Sequence, residues 1–220
     1  MISIIEQITF FIGKAICHQL PERTFEMEGH YFPVCARDAG IYFGIFSSLM
    51  FITVKKRYRN ITIPNKKNSF ILLLFLLPLV VDGFGSYLGV YSTTNLIRVI
   101  TGIFFGSALP FFLIPLIINP SSEKKVIPII KNIHEMFIPL FIAAASVSLT
   151  FHSLLAFTIL QLLIIVTLIF WISLIFYLIF SRLSNHYLSI SLSLASSVMA
   201  LSVMSYTHSL IRPLYLQNLL

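Results

Sequence analysis

From Ala36 onward the chain is a succession of long apolar runs separated by short polar joints. The runs fall at about 36–54, 69–90, 96–118, 134–152, 155–180 and 188–210. Each approaches or exceeds the roughly 20 residues that an α-helix needs to cross the hydrocarbon of a bilayer. The pattern predicts an all-α fold: a polytopic transmembrane helical bundle of six spans. The opening stretch, MISIIEQITFFIGKAI, is shorter and is interrupted by Glu6 and Lys14. It reads as an amphipathic or half-spanning helix at the interface. It has neither the basic start nor the small-residue cleavage pair of a signal peptide, so it is expected to stay in the mature protein.

Composition narrows the class further. Of the 220 residues, 57% are hydrophobic and 10% charged, far from the balance of a soluble domain. Spans and short loops use up nearly the whole length, so residues 1–220 form a single integral membrane domain, with three further helices in 119–220. The net charge of +7 is explained without nucleic acid, because the basic residues sort by side. Lys55, Lys56, Arg57, Arg59, Lys66, Lys67, Lys124, Lys125, Lys131 and Arg182 lie on one face. Only Lys14, Arg23, Arg37, Arg98 and Arg212 lie on the other. The richer face is assigned to the cytoplasm by the positive-inside bias, which places the segment from Cys17 to Asp38 outside the cell membrane.

That orientation gathers the intramembrane polar groups in one leaflet. Asp82 falls in the outer half of the second span, Asn95 and Arg98 open the third, and His152 and His208 end the fourth and sixth on the same side. A charge at the centre of a bilayer costs about 2.5–3.5 kcal/mol on insertion scales, so Asp82 and Arg98 should face the bundle or a wet cavity and one another. Small residues at helical spacing indicate how the spans approach. Ala36, Gly40, Gly44 and Ser48 form one stripe, Arg98, Gly102 and Gly106 a second, and Asp82, Ser86 and Gly89 a third. Such stripes are the ordinary packing device of membrane helices. Pro78, Pro110 and Pro115 predict kinks. The tyrosines, Tyr91 among them, read as interfacial anchors, and the serine-rich sixth span identifies no nucleophile.

Three chemistries compete for Cys17, His18, Cys35 and Asp38. A disulfide between the two cysteines would tie the first helix to the first span and contribute about 2–4 kcal/mol. A zinc site would use thiolate, imidazole and carboxylate from two short segments, with Pro21 keeping the backbone non-helical and His30 in reserve. Thiol redox chemistry ranks last, because Asp38 stands where a C-x-x-C pair needs its second sulfur. Arg23, Arg37 and Arg98 could hold a phosphate or lipid headgroup. His152 and His208 could complete a hydrolytic metal site, though a histidine at a helix end is more often an interfacial hydrogen-bonding residue.

CHQLPERTF at 17–25, FPVCARDAGIYFG at 32–44 and DGFGSYLGVYSTTNLIRVITGIFFG at 82–106 resemble an uncharacterised family of small prokaryotic membrane proteins, known only as a domain of unknown function. Its members read CHQ-x-PERS, then P-x-CARC-x-G-x-Y-x-G, then DG followed by N-x-x-R-x-x-TG-x-x-x-G. The resemblance covers the motif-bearing half, 17–106. It implies a membrane location and a shared outer-leaflet site made from Cys17, His18, Cys35, Asp82, Asn95 and Arg98, and it implies no activity. Asp38 departs from the pattern, replacing a usual third cysteine. That exchange keeps an anionic metal ligand and removes a disulfide partner.

The leading expectation is a metal-dependent, membrane-embedded enzyme acting on a lipid or lipid-linked anionic group. Cys17, His18, Cys35 and Asp38 would hold zinc, with Asp82 as base or ligand and Arg98 as anion clamp beside Asn95. A small transporter or channel component lined by Asp82 and Arg98, or a structural protein with one external disulfide, are the alternatives.

Overall fold

In hydrocarbon a backbone satisfies its N–H and C=O groups within its own segment, so each apolar run becomes helix. The computed structural model describes residues 4–57, 61–118, 126–183 and 185–217, with side chains of the last helix as far as Ile211. In chain order the elements are α1 (Ile4–Gly13), β1 (Thr24–Met27), β2 (His30–Cys35), α2 (Ala36–Val54), β3 (Ile61–Thr62) and α3 (Lys66–Leu74). There follow α4 (Leu77–Tyr87), α5 (Asn95–Ile117), β4 (Ile127–Pro128), α6 (Phe137–Thr150), α7 (Leu154–Phe180) and α8 (His186–Gln217). Tyr58, Arg59, Lys124 and Lys125, which entered the reading of orientation and interface, lie outside the described residues, as do the side chains of Arg212 and Tyr215.

Among the described residues, five helical stretches are long and apolar enough to cross a membrane: Lys66–Tyr87, Asn95–Ile117, Ile133–Thr150, Leu154–Phe180 and His186–Ile211. They coincide with the expected second to sixth spans. The first expected span is α2, whose 19 residues are diluted by Arg37, Asp38, Ser47 and Ser48. α1, at 10 residues, is about 15 Å long, half a bilayer. Pro78 breaks the second span as expected. Proline at the start of α4 leaves no N–H to continue the ladder, and the chain passes through a turn at Phe75 and Leu76. Pro110 and Pro115 do not interrupt α5.

The chain divides into two compact units, Met1–Cys35 with Gln161–Leu220, and Ala36–Leu160. In the first, β1 and β2 form an antiparallel hairpin with Thr24 opposite Cys35, Glu26 opposite Tyr31 and Met27 opposite His30. Its turn residues, Glu28 and Gly29, have φ of 52° and 81°, the doubly left-handed geometry that matches the twist of paired strands. Gln19 connects this hairpin to α1. Its side-chain amide donates to the carbonyls of Phe10 and Pro33, each at 2.8 Å. The two backbones meet so closely that a Cβ at Gly13 would overlap the Pro33 carbonyl. α8 receives α1 through Ser205, which donates to the Phe10 neighbour Phe11 at its carbonyl (2.6 Å), and α7 meets α8 through the Ser173–Ser197 hydroxyl pair at 2.7 Å. Gln19→Glu keeps the side chain's size but sets a carboxylate against two carbonyls. It is expected to destabilise this unit by about 2–6 kcal/mol, at about 1–3 kcal/mol for each of the two unmade bonds, measured as a lower melting temperature of the solubilised protein. Gln19→Ala should cost less, because it introduces no charge.

In the second unit α2 and α5 interlock. A Cβ at Gly40 would fall on the Val99 carbonyl and one at Gly44 would lie 2.7 Å from the Ile103 carbonyl and the Ser107 N–H. In return, Gly102 and Gly106 receive the carbonyls of Arg37 and Ile41, and Ser48 donates to the Ser107 carbonyl at 2.8 Å. The two small-residue stripes read from the sequence therefore face each other. Toward the C-terminal end of α2, Phe51, Ile52, Ile61, Leu72, Phe111 and Met136 form the buried core. There α2 ends with Lys56 at φ 52°, Arg57 N–H on the Ile52 carbonyl and Lys56 N–H on that of Thr53, the paired bonds of a Schellman stop. This turn aims Arg57 inward, where it grips Glu135 through two bonds of 2.6 Å and reaches the Ile129 carbonyl at 2.7 Å.

Candidate functional site

Cys17 follows the last turn of α1, its N–H still bonded to the Gly13 carbonyl at 3.1 Å. Gln19 then takes a φ of 52°, which reverses the chain and turns the Cys17 sulfur toward the end of β2. Buried there, the sulfur accepts the Cys35 N–H at 3.1 Å and the Gln19 N–H at 3.5 Å. Backbone donors of this kind support ligating thiolates. No disulfide bridge joins the two cysteines. Asp38 lies three residues beyond Cys35, in the first turn of α2, and the possible ligand atoms of Cys17, Cys35 and Asp38 all lie within 4.8 Å of one another. Zinc ligands at about 2.0–2.3 Å in a tetrahedron stand about 3.3–3.8 Å apart, so side-chain adjustment of about 1 Å would close the three onto one ion. The donor set, two thiols and a carboxylate, fits zinc.

The other predicted ligand is placed differently. His18 is exposed, and its ring meets that of His208 edge to face, with centroids 5.1 Å apart. His30 pairs with Glu6 at 2.5 Å, joining the hairpin turn to α1. His152 is exposed beyond the end of α6.

A second cluster belongs wholly to the unit of residues 36–160. Asp82 is buried, 2% exposed, as a charge within a span should be. Its partner is Arg37, where the sequence pairs it with Arg98: the guanidinium donates to Asp82 Oδ2 and, at 3.4 Å, to Ser86. Tyr91 donates to Asp82 Oδ1 at 3.1 Å, so it is more than an interfacial anchor. Its ring sits where a Cβ at Gly85 would be. Burial and then the Asp82 carboxylate hold the Tyr91 phenol above its usual pKa, keeping it a donor. Arg98 donates to Asn95 at 2.9 Å across the first turn of α5, and Thr101 caps the Arg98 carbonyl at 3.0 Å. Arg37, Asp82, Asn95 and Arg98 thus occupy one end of this unit, held there by Gly102 against the Arg37 backbone.

Sequence reasoning missed Gln19 and the Arg37–Asp82–Tyr91 arrangement. The signal for Gln19 was its place inside CHQ. For Arg37 it was the stripe of Gly40 and Gly44 on the same helix, which forces the start of α2 against α5.

A family model described as "Predicted membrane protein (DUF2085)" matches residues 17–112. An uncharacterised protein of Methanocaldococcus jannaschii is 37% identical over 115 residues, which are 52% of this chain and 72% of that one. An uncharacterised protein of Methanothermobacter thermautotrophicus is 38% identical over 97 residues, 44% of this chain and 82% of the other. No solved structure matches.

Proposed function

The chain belongs to this family of membrane proteins, and from that premise we propose that it holds a zinc-type divalent ion on Cys17, Cys35 and Asp38 and acts on an anionic group of a lipid or lipid-linked molecule at the extracytoplasmic surface. The observation that carries this reading is the meeting of two thiols and a carboxylate within 4.8 Å. Two thiols, which bind zinc as thiolates, and a carboxylate form a donor set that matches such a cation, and three protein ligands leave a fourth position open to water or substrate. When bound, the ion would polarise an oxygen or lower the pKa of a water.

The protein's own residues supply the rest. Cys35, Arg37 and Asp38 lie within four consecutive positions, so two ligands and a guanidinium share one turn of chain. Arg37 and Arg98 favour an anion at that end of their unit. With both oxygens of Asp82 engaged by Arg37 and Tyr91, its role here is to orient Arg37, in place of the base role read from the sequence. His18, whose ring lies against that of His208, is not one of the ligands.

Metal content and thiol count on one detergent-purified, reduced preparation test the reading. About one zinc per chain is expected, lost on treatment with a chelator and in Cys17→Ser or Cys35→Ser, but retained in His18→Ala. Lack of stoichiometric metal in the reduced wild type would reject it. A mass change of one disulfide on reduction favours the alternative, a structural bridge, which the closeness of the two sulfurs also permits.

A further inference from the structure

α1, α7 and α8 of the unit formed by residues 1–35 and 161–220 leave an apolar groove of about 300 Å³, lined chiefly by Ile8, Phe11, Ile12, Ile169, Val198 and Leu201. We propose that this groove binds one acyl chain of an anionic phospholipid whose phosphate rests on Lys14, beside His18 and His208. The site is separate from the thiol cluster and needs no metal.

Its size argues for a single chain. A helix with its side chains is about 10–12 Å across and would need a wide apolar face, whereas 300 Å³ lies at the small end of ligand pockets. Ile8, Phe11 and Val198 are about half exposed at its mouth, open to whatever surrounds the helices. In a membrane protein that is lipid.

The charge at one end argues for the headgroup. α1 and α8 run side by side in the same direction, with Phe11 bonded to Ser205 and Lys14 to Ser209. Lys14 and the His18–His208 pair therefore sit at the C-terminal end of α1, while the groove extends back toward Ile8 and Val198. From Leu201 to Ser209 α8 rises about 12 Å, which fits the distance from a phosphate down into an acyl chain. Among the described residues Lys14 pairs with no carboxylate; its ammonium makes only a 3.4 Å bond to Ser209. A half-buried ammonium above an apolar groove is complemented by a phosphate.

The test is native mass spectrometry of the full, chelator-treated chain released from micelles containing equal phosphatidylglycerol and phosphatidylcholine. Wild type should retain one phosphatidylglycerol with at least fivefold preference. Lys14→Met should abolish the preference while leaving phosphatidylcholine retention intact. Val198→Trp, which fills the exposed mouth of the groove, should lower retention of both lipids about tenfold. A wild type without preference, or binding unchanged in either variant, overturns the proposal. So does retention of free glycerol phosphate that depends on Lys14 and ignores Val198, since that would mark a site for soluble anions. Because metal is removed beforehand, failure here is independent of the zinc reading.

Discussion

Gly106→Ala is expected to destabilise the protein by about 3 kcal/mol, the top of the ordinary range for an overpacked core, and Gly106→Leu by more. The added Cβ would fall onto the Ile41 carbonyl of α2, with Ile41 Cα only 2.8 Å away. Contacts between carbon atoms are favourable at about 3.5–4.0 Å, and the obstacle is helix backbone, which has no rotamer to move aside. The helices must therefore separate. Separation would also stretch the Ser48 to Ser107 bond and open the reciprocal contacts at Gly40, Gly44 and Gly102. At about 2–4 °C per kcal/mol for a chain of this size, thermal unfolding of the solubilised protein followed by size-exclusion chromatography should shift down by roughly 6–12 °C. Gly83→Ala is the control. It lies in α4, where a Cβ would meet nothing within 4 Å, and replacing glycine within a helix is worth up to about 1 kcal/mol of added stability. Equal melting of the two variants would mean that α2 and α5 do not approach so closely.

Asp82→Asn and Arg37→Gln are expected to be comparably damaging one at a time and much less so when the pair is removed together. Asp82 is almost wholly buried and the Arg37 side chain is about three-quarters buried. Removing one partner leaves the other's charge uncompensated, at about 3–5 kcal/mol, whereas apolar replacement of a whole buried pair is often neutral. Arg37→Gln combined with Asp82→Asn, which leaves neither charge unpaired, should therefore recover most of the loss in a double-mutant cycle. Tyr91→Phe removes a single bond to the same carboxylate and should cost about 1 kcal/mol. The cycle also separates two roles for Asp82. A proton acceptor free of structural duty would let Asp82→Asn fold as well as wild type, and that result would return Asp82 to the chemistry and dismiss it as the counter-ion of Arg37.

The positions of the spans were legible because hydrophobic length is a local property. Five predicted spans reappear within a few residues of their expected ends, and the break ahead of Pro78 follows from a missing N–H. The facing glycine stripes could be read too, since a period of four on one helix names the surface that must be covered. The partners were harder. Arg57 counted only as one more basic residue of a cytoplasmic loop, yet it is buried and bonded to Glu135, 78 positions away. The β1–β2 hairpin was foreseen only as non-helical chain, because a turn built on Glu28 and Gly29 lacks the usual Asn-Gly signal.

What the sequence alone determined is the membrane class, the helix boundaries and the small-residue faces, all of which depend on neighbours within a few turns of chain. Tertiary structure decided which ions meet: Arg37 with Asp82, Arg57 with Glu135, and the Cys17 sulfur with the Cys35 N–H. A charge in a low-dielectric interior must find an opposite charge or a dipole wherever the packed backbones bring one. The distance along the chain to that partner is set by helix packing, and no local pattern encodes it.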